Sequence, residues 1–265
     1  MYTPGPDWIG LIWGSLPLVA CMGLLAWQQL GQVRPLLIAT ARLVLQMMLL
    51  ALVLKTIMKA ESPPLVVGIA FLMLATAAHA VGSRQPRRRW EIRLEAFGAM
   101  AVGATLVMAV SIRLSLKVEP WYDARTVIPL LGMLLGNSVS AVSLAAERFS
   151  SDLKADRDLV ELRLALGATA RQAATPALRA SVSSGLLPII NNMMIAGIVA
   201  IPGMTSGQLL AGADVGQAIR YQILIYLGIS ANVALSVLIL LAIRLRRDFT
   251  PAYQLRREAF DEGMS

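Results

Sequence analysis

The 265-residue chain has one cysteine, Cys21, one histidine, His79, and few charges, 15% of all residues. A lone cysteine excludes a disulfide within the chain. Cys21 and His79 are too few for a Cys/His zinc site, and no HExxH run is present. A Walker A loop, GxxxxGK followed by Ser or Thr, occurs nowhere, so the chain does not itself hold ATP by that device. The G-x-S-x-G nucleophile elbow is missing as well. A Ser–His dyad would have to recruit His79 from an apolar segment, where a single histidine reads first as a hydrogen-bonded packing residue. With so little His and Cys and no compact acid–base motif, an intramembrane enzyme acting on lipid is the weakest functional class.

What is abundant is apolar: 57% of the residues. That excludes an ordinary soluble domain. A membrane-crossing helix needs about 20 predominantly apolar residues, and seven segments qualify: 8–27, 35–54, 64–81, 96–115, 127–144, 177–201 and 221–243. The expected fold is all-α, a polytopic integral membrane protein forming a single transmembrane domain over 1–265. Almost nothing remains for a soluble domain. No linker, low-complexity segment or internal repeat is visible, and seven spans do not divide into the equal halves of many secondary transporters.

The net charge of +8 points to topology rather than to a nucleic-acid partner. Arg34 follows the first span; Arg84, Arg87, Arg88, Arg89 and Arg93 follow the third. Arg148, Lys154, Arg157, Arg163, Arg171 and Arg179 follow the fifth, and Arg244, Arg246, Arg247, Arg256 and Arg257 follow the seventh. Against these seventeen of the 24 basic residues stand Lys55, Lys59, Arg113, Lys117, Arg125 and Arg220 in the opposite loops, and Arg42 inside a span. The positive-inside rule then places the N-terminus outside and the C-terminus in the cytosol. Leu18-Val19-Ala20-Cys21 has the look of a lipoprotein cleavage box, but no basic residue precedes Arg34, so the first segment is expected to be a retained span. Trp8 and Trp27 mark its two interfacial ends.

The loop between the fifth and sixth spans, about 148–176, is structured. Leu159, Leu162 and Leu166, spaced by three and four, predict a short amphipathic helix that Gly167 ends. Thr169 and Gln172 fit a capping box for a second short helix. Thr175-Pro176 is a further start signal, with Thr as N-cap and Pro at the first helical position. Two readings stand for this helical elbow: a device that receives force from a soluble partner, or an interfacial helix lying on lipid headgroups.

Several spans carry polar groups. Gly132, Gly136 and Ser140 form a small-xxx-small pattern that favours close helix packing. Asn137, Ser140 and Glu147 share roughly one face, either for interhelical hydrogen bonds or to line a substrate path. Arg42 and Gln46 are four apart on another helix, and snorkelling or structural pairing competes with a path role for Arg42. Pro188 removes a backbone hydrogen bond in the sixth span, and Asn191 with Asn192 either satisfies that kink or faces a cavity. Met193, Met194 and Met204 bring soft sulfur donors, which favour Cu(I) over Fe(II), but among thirteen methionines they read first as ordinary lipid-facing packing. Segment 201–218 is too polar to span; its Pro202-Gly203 and Ser206-Gly207 turn signals suit a re-entrant or a periplasmic loop. Gln208 and Asp214 offer oxygen ligands there, but two oxygens define no metal site, and the metal ligands stay unassigned.

Glu161 and Gly167, six apart, resemble the EAA-type coupling loop of ABC importer-like permeases, with Leu162 and Arg163 in place of the two alanines. More widely, RLVLQMMLL at 42–50, PLLGMLLGNSVSAVSLAAERF at 129–149 and NNMMIAGIVAIPGMTSGQLLAG at 191–212 closely resemble the bacterial iron-export ABC permease family, which also includes the plant aluminium-sensitivity permease. The resemblance covers nearly the whole chain. It implies a multi-pass protein of the bacterial inner membrane, working as a pair of identical chains with a separate cytosolic ATP-binding subunit. ATP and magnesium would sit in that subunit, and this chain would bind no cofactor of its own. It also implies that Leu159, Glu161, Leu162, Leu166 and Gly167 form the coupling element. The cargo it implies is iron or another metal ion, with a nucleotide sugar as the alternative from the plant relatives; an ATP-independent carrier is the other transport reading.

Overall fold

The computed structural model describes residues 7–57, 62–84, 89–250 and 254–256. The chain divides into two compact units, Met1–Glu61 and Ser62–Ser265. The first holds α1 (Trp8–Trp27) and α2 (Val33–Ile57). Asp7 caps α1 by accepting the Gly10 amide at 2.7 Å, and both tryptophans at its ends are exposed.

The second unit begins with α3 (Pro63–Ser83) and α4 (Arg89–Val110), which runs on into a π-helical turn, Ser111–Leu116. Then come the long α5 (Ala124–Ala155), the short α6 (Arg157–Ala165) and α7 (Ala170–Ala173), and α8 (Thr175–Ile195). A short α9 (Gly203–Leu210) and the long α10 (Val215–Asp248) complete it. At 1.5 Å per residue α5 and α10 are about 48 and 51 Å long, against a hydrocarbon core of about 30 Å. Both are therefore longer than the apolar layer is thick.

Among the described residues six helices are long and apolar enough to cross a membrane: α1, α2, α3, α4 with its π turn, α5 and α10. The protein is an all-α polytopic membrane protein. The expected sixth span, 177–201, is corrected in two ways. It is the helix α8, which is long enough, about 32 Å, but is not one of those six: Arg179, three serines and Asn191-Asn192 dilute its apolar character. It also stops at Ile195, because Ala196 turns extended and pairs with Ala200 across Gly197, whose φ of +81° an L side chain rarely adopts.

The small residues of α8 become intelligible in its packing. Ala177, Ser181, Gly185 and Ile189, four apart and therefore on one face, are its buried residues. A Cβ at Gly185 would lie 3.0 Å from the Ala141 carbonyl oxygen, 3.1 Å from Ala145 Cβ and 3.1 Å from Val237 Cγ2, so α8 sits tightly between α5 and α10. Around that seam Leu134, Val142, Phe149, Leu153, Val233, Val237 and Leu240 are fully enclosed. Small residues at helix crossings are how helices gain dispersion contacts where lipid is as apolar as leucine. Asn232 of α10 ties the bundle together further: its amide Nδ2 donates to Ser138 Oγ at 2.7 Å and to the Leu134 carbonyl at 3.1 Å, both on α5.

Candidate functional site

The loop from α5 to α8 folds as the sequence predicts, and its capping chemistry can be followed atom by atom. At the end of α6 the Gly167 amide donates to Leu164 O and the Ala168 amide to Arg163 O, both at 3.0 Å. That pair of bonds, with Gly167 at φ +90°, is a Schellman motif, which satisfies the last carbonyls of a helix and reverses the chain. Two residues on, the Gln172 amide donates to Thr169 Oγ1 at 3.3 Å while the Thr169 amide donates to Gln172 Oε1 at 2.9 Å, completing the expected capping box. Arg163 Nη1 donates to the Ala173 carbonyl at 3.1 Å and so clamps α6 to α7. One assignment shifts: Thr175 is already helical, and its hydroxyl donates back to Arg171 O at 2.7 Å instead of capping α8.

The clamp leaves a defined outer face. Val160 is buried, whereas Leu159, Leu162 and Leu166 are 45%, 55% and 79% exposed. Glu161 is held by Arg157, Nε to Oε1 at 2.9 Å, on the outer surface of α6. Three leucines at helical spacing thus face outward beside an ordered ion pair instead of forming a core stripe.

The expected path residues take several positions. On α5 Gly132 meets Met73 Cε, 3.4 Å from where its Cβ would be, and so serves packing; Gly136 has open space around it and Ser140 and Glu147 are exposed. Of the two glycines in the small-xxx-small pattern, then, Gly132 meets a neighbouring helix among the described residues and Gly136 does not. Asn137 returns its Nδ2 to Met133 O, 2.8 Å away on its own helix. Asn191 and Asn192 are exposed near the end of α8, while Met193 Sδ lies 2.8 Å from Ser230 Oγ of α10. Met194 is exposed, and Met204 packs against the main core. In the first unit Arg42 and Gln46 are exposed on α2.

Within segment 201–218 the turn signals do not act as turns. The turn signals at Pro202-Gly203 and Ser206-Gly207 lie in and at the start of a helix, α9, whose N-cap is Pro202. Thr205 is buried there and donates to Gln222 Oε1 on α10 at 3.0 Å, which anchors α9 to the long helix. Asp214 is the N-cap of α10, accepting the Gln217 amide at 2.8 Å, so its carboxylate is occupied by a structural bond. Gln208 is half-buried. Among the described residues no three His, Cys, Asp or Glu side chains gather where a metal ion could be held.

The sequence reading missed an ion network between the start of α4 and the end of α10. Arg247 Nη1 donates to Glu95 Oε1 at 2.8 Å and its Nη2 lies 3.0 Å from Glu91 Oε2. Arg244 Nε stands 3.6 Å from Glu95 Oε2 and 3.8 Å from Asp248 Oδ2, while its Nη1 reaches Ser150 Oγ on α5 at 3.2 Å. Glu95 and Arg244 are 7% and 6% exposed. Glu91 and Glu95, four apart, were the available signal, but positive-inside reasoning counts only the basic partner.

Comparison with known proteins supplies the family. A family model described as "Uncharacterised protein family (UPF0014)" matches residues 8–249. The chain belongs to that family. A UPF0014 membrane protein of the cyanobacterium Synechocystis is 34% identical over 94% of this chain and 96% of its own length. "Probable iron export permease protein FetB" of Escherichia coli is 29% identical over 86% of each chain. "Protein ALUMINUM SENSITIVE 3" of Arabidopsis thaliana is 27% identical, over 84% of this chain and 80% of its own. No solved structure matches.

Proposed function

We propose that this UPF0014 chain is the membrane permease of an ABC transporter that exports iron or another metal ion from a bacterial cell. The observation that carries the proposal is the elbow: two short helices, closed by a Schellman motif, a capping box and the Arg163–Ala173 bond, presenting Leu159, Leu162 and Leu166 outward. A rigid element between α5 and α8 moves those helices together when a partner pushes on it. The likeness to the Escherichia coli protein named for iron export supports the cargo class. In this reading the N-terminus lies outside, the C-terminus and the elbow lie in the cytosol, and a separate ATPase grips the leucine face.

The outward face of α5 supports a paired arrangement. Gly136 and Ser140 lie exposed within the apolar stretch of α5, and lipid offers the serine hydroxyl no partner from another helix. A second copy of the chain covers that face and, with Asn137, Asn191 and Asn192, encloses a polar path between the subunits. Alternating access follows from closure of the two ATPases, which tilts α5 and α8 at the elbow.

The test is transport by proteoliposomes containing this chain and its copurified ATPase, with Fe(II), other divalent metals and UDP-sugars offered in parallel. ATP-dependent movement of a metal is expected. ATP-dependent movement of a UDP-sugar alone would replace the cargo, and gradient-driven movement without any ATPase would replace the mechanism. Glu161→Lys and Gly167→Pro are expected to uncouple ATP hydrolysis while the protein stays inserted. The Arg157–Glu161 pair is partly exposed and adds only about 0–1 kcal/mol, so loss of coupling in Glu161→Lys is separable from unfolding. Normal coupling in both variants would sink the proposal.

A further inference from the structure

Beside the elbow, a cleft of about 440 Å³ opens between α7 and the end of α10. Thr169, Ala170 and Arg171 line one wall, and Leu245, Arg246, Phe249, Thr250 and Arg256 line the other. The chain brings Arg256 there by doubling back after α10. Phe249 and Leu255 form an antiparallel bridge, Thr250 N donates to Gln254 O at 2.8 Å, and Arg256 N donates to Asp248 O at 2.9 Å.

The charges in this cleft are one-sided. Arg244 and Arg247 of α10 face the carboxylates of α4, but Arg246 lies on the other side of the helix, with Arg171 and Arg256. Among the described residues no carboxylate lines the cleft, and none of these three guanidinium groups has an ion pair. Three cations around one concavity repel each other unless an anion joins them. Guanidinium groups fit phosphate oxygens in pairs of parallel hydrogen bonds.

The position selects the kind of phosphate. The apolar run of α10 ends at Ile243 and the cleft begins at Leu245, which puts it at headgroup depth if α10 crosses the bilayer. Leu245, partly exposed, adds apolar surface beside the cations, as a lipid needs and a soluble phosphate does not. We propose that the cleft formed by Arg171, Arg246 and Arg256 binds the phosphate headgroup of an anionic phospholipid, which thereby links the elbow to the end of α10. The binding claim depends only on these residues and holds whether or not the chain works with an ATPase.

Native mass spectrometry of the full-length protein tests it, with phosphatidylglycerol, phosphatidylcholine and inorganic phosphate as separate probes. Phosphatidylglycerol is expected to be retained at one tight site per chain that phosphatidylcholine does not fill. Arg171→Gln, Arg246→Gln and Arg256→Gln should each weaken it about fivefold, and the triple variant should lose it. Arg179→Gln, exposed on α8, should leave it within about twofold. The three cleft arginines are exposed, so lipid-free thermal midpoints should match the parent protein, and Arg246→Lys should retain more binding than Arg246→Gln. Equal weakening by Arg179→Gln would mean diffuse surface attraction and overturn the proposal. So would equal retention of phosphatidylcholine, or displacement of phosphatidylglycerol by millimolar inorganic phosphate. If the triple variant lost a copurifying protein but kept its lipid, the cleft would be a protein contact and the proposal would fall.

Discussion

Arg244→Met puts the ion network at the end of α10 to a quantitative test. The substitution keeps the aliphatic bulk and removes the guanidinium that stands 3.6 Å from Glu95 and 3.8 Å from Asp248, both nearly fully buried. Breaking a buried pair by deleting one partner costs about 3–5 kcal/mol, because the other charge is left without compensation. Arg247 still holds Glu95 at 2.8 Å, so the lower end, about 3 kcal/mol, is the expectation. The scale for domains of 150–250 residues, about 2–4 °C per kcal/mol, converts this to a fall of about 6–12 °C in thermal midpoint. Glu95→Gln is expected to cost less, since Arg244 keeps Asp248 and the Ser150 hydroxyl while Arg247 keeps Glu91. The assay is a double-mutant cycle on detergent-solubilised protein, followed by thermal unfolding. Because the residues share one network, the double variant should fall short of the sum of the singles by about 0.5–3 kcal/mol. Additivity within about 0.5 kcal/mol, or a midpoint for Arg244→Met within 2 °C of the parent, would refute the network as a structural tie between α4 and α10.

Three further outcomes can be measured on the same preparation. Gly185→Ala pushes a methyl against the Ala141 carbonyl at 3.0 Å and should cost about 1–3 kcal/mol, partly offset by about 1 kcal/mol of helix propensity. Gly98→Ala, with nothing within 4 Å, should instead stabilise by about 0.5–1 kcal/mol; the same sign for both would contradict the tight α8 crossing. Thr169→Ala removes half of the capping box and should cost about 0.5–2 kcal/mol, read as faster hydrogen exchange confined to α7 and the start of α8. Gly167→Ala must adopt φ near +90° and should cost about 1–2 kcal/mol, whereas Gly167→Asn, which tolerates that region, should cost less.

Local chemistry made the elbow legible in the sequence. Gly167, the Thr169–Gln172 box and the leucine spacing act within four or five residues of themselves, so the helix end, the second helix start and the exposed stripe could be anticipated. The long apolar runs gave the spans for a similar reason, since a run of about 20 apolar residues has few stable places other than a bilayer. Segment 201–218 went the other way. Its Pro and Gly pairs are turn signals locally, yet α9 forms because Thr205 is anchored to Gln222 seventeen positions later. Which small residues pack was equally invisible. Gly136 and Gly185 look alike in sequence, but only the crossing of α5, α8 and α10 presses on Gly185.

Charge shows the same division. The sequence by itself determined that this is a helical membrane protein and which loops carry most of the basic residues, because composition and hydrophobic run length are local properties. Only the tertiary structure decided what individual arginines do. Arg244 and Arg247 are committed to carboxylates about 150 positions earlier in the chain, and Arg246 turns to the opposite side, towards Arg171 and Arg256. A Coulomb partner is chosen by distance in space, which only helix packing sets.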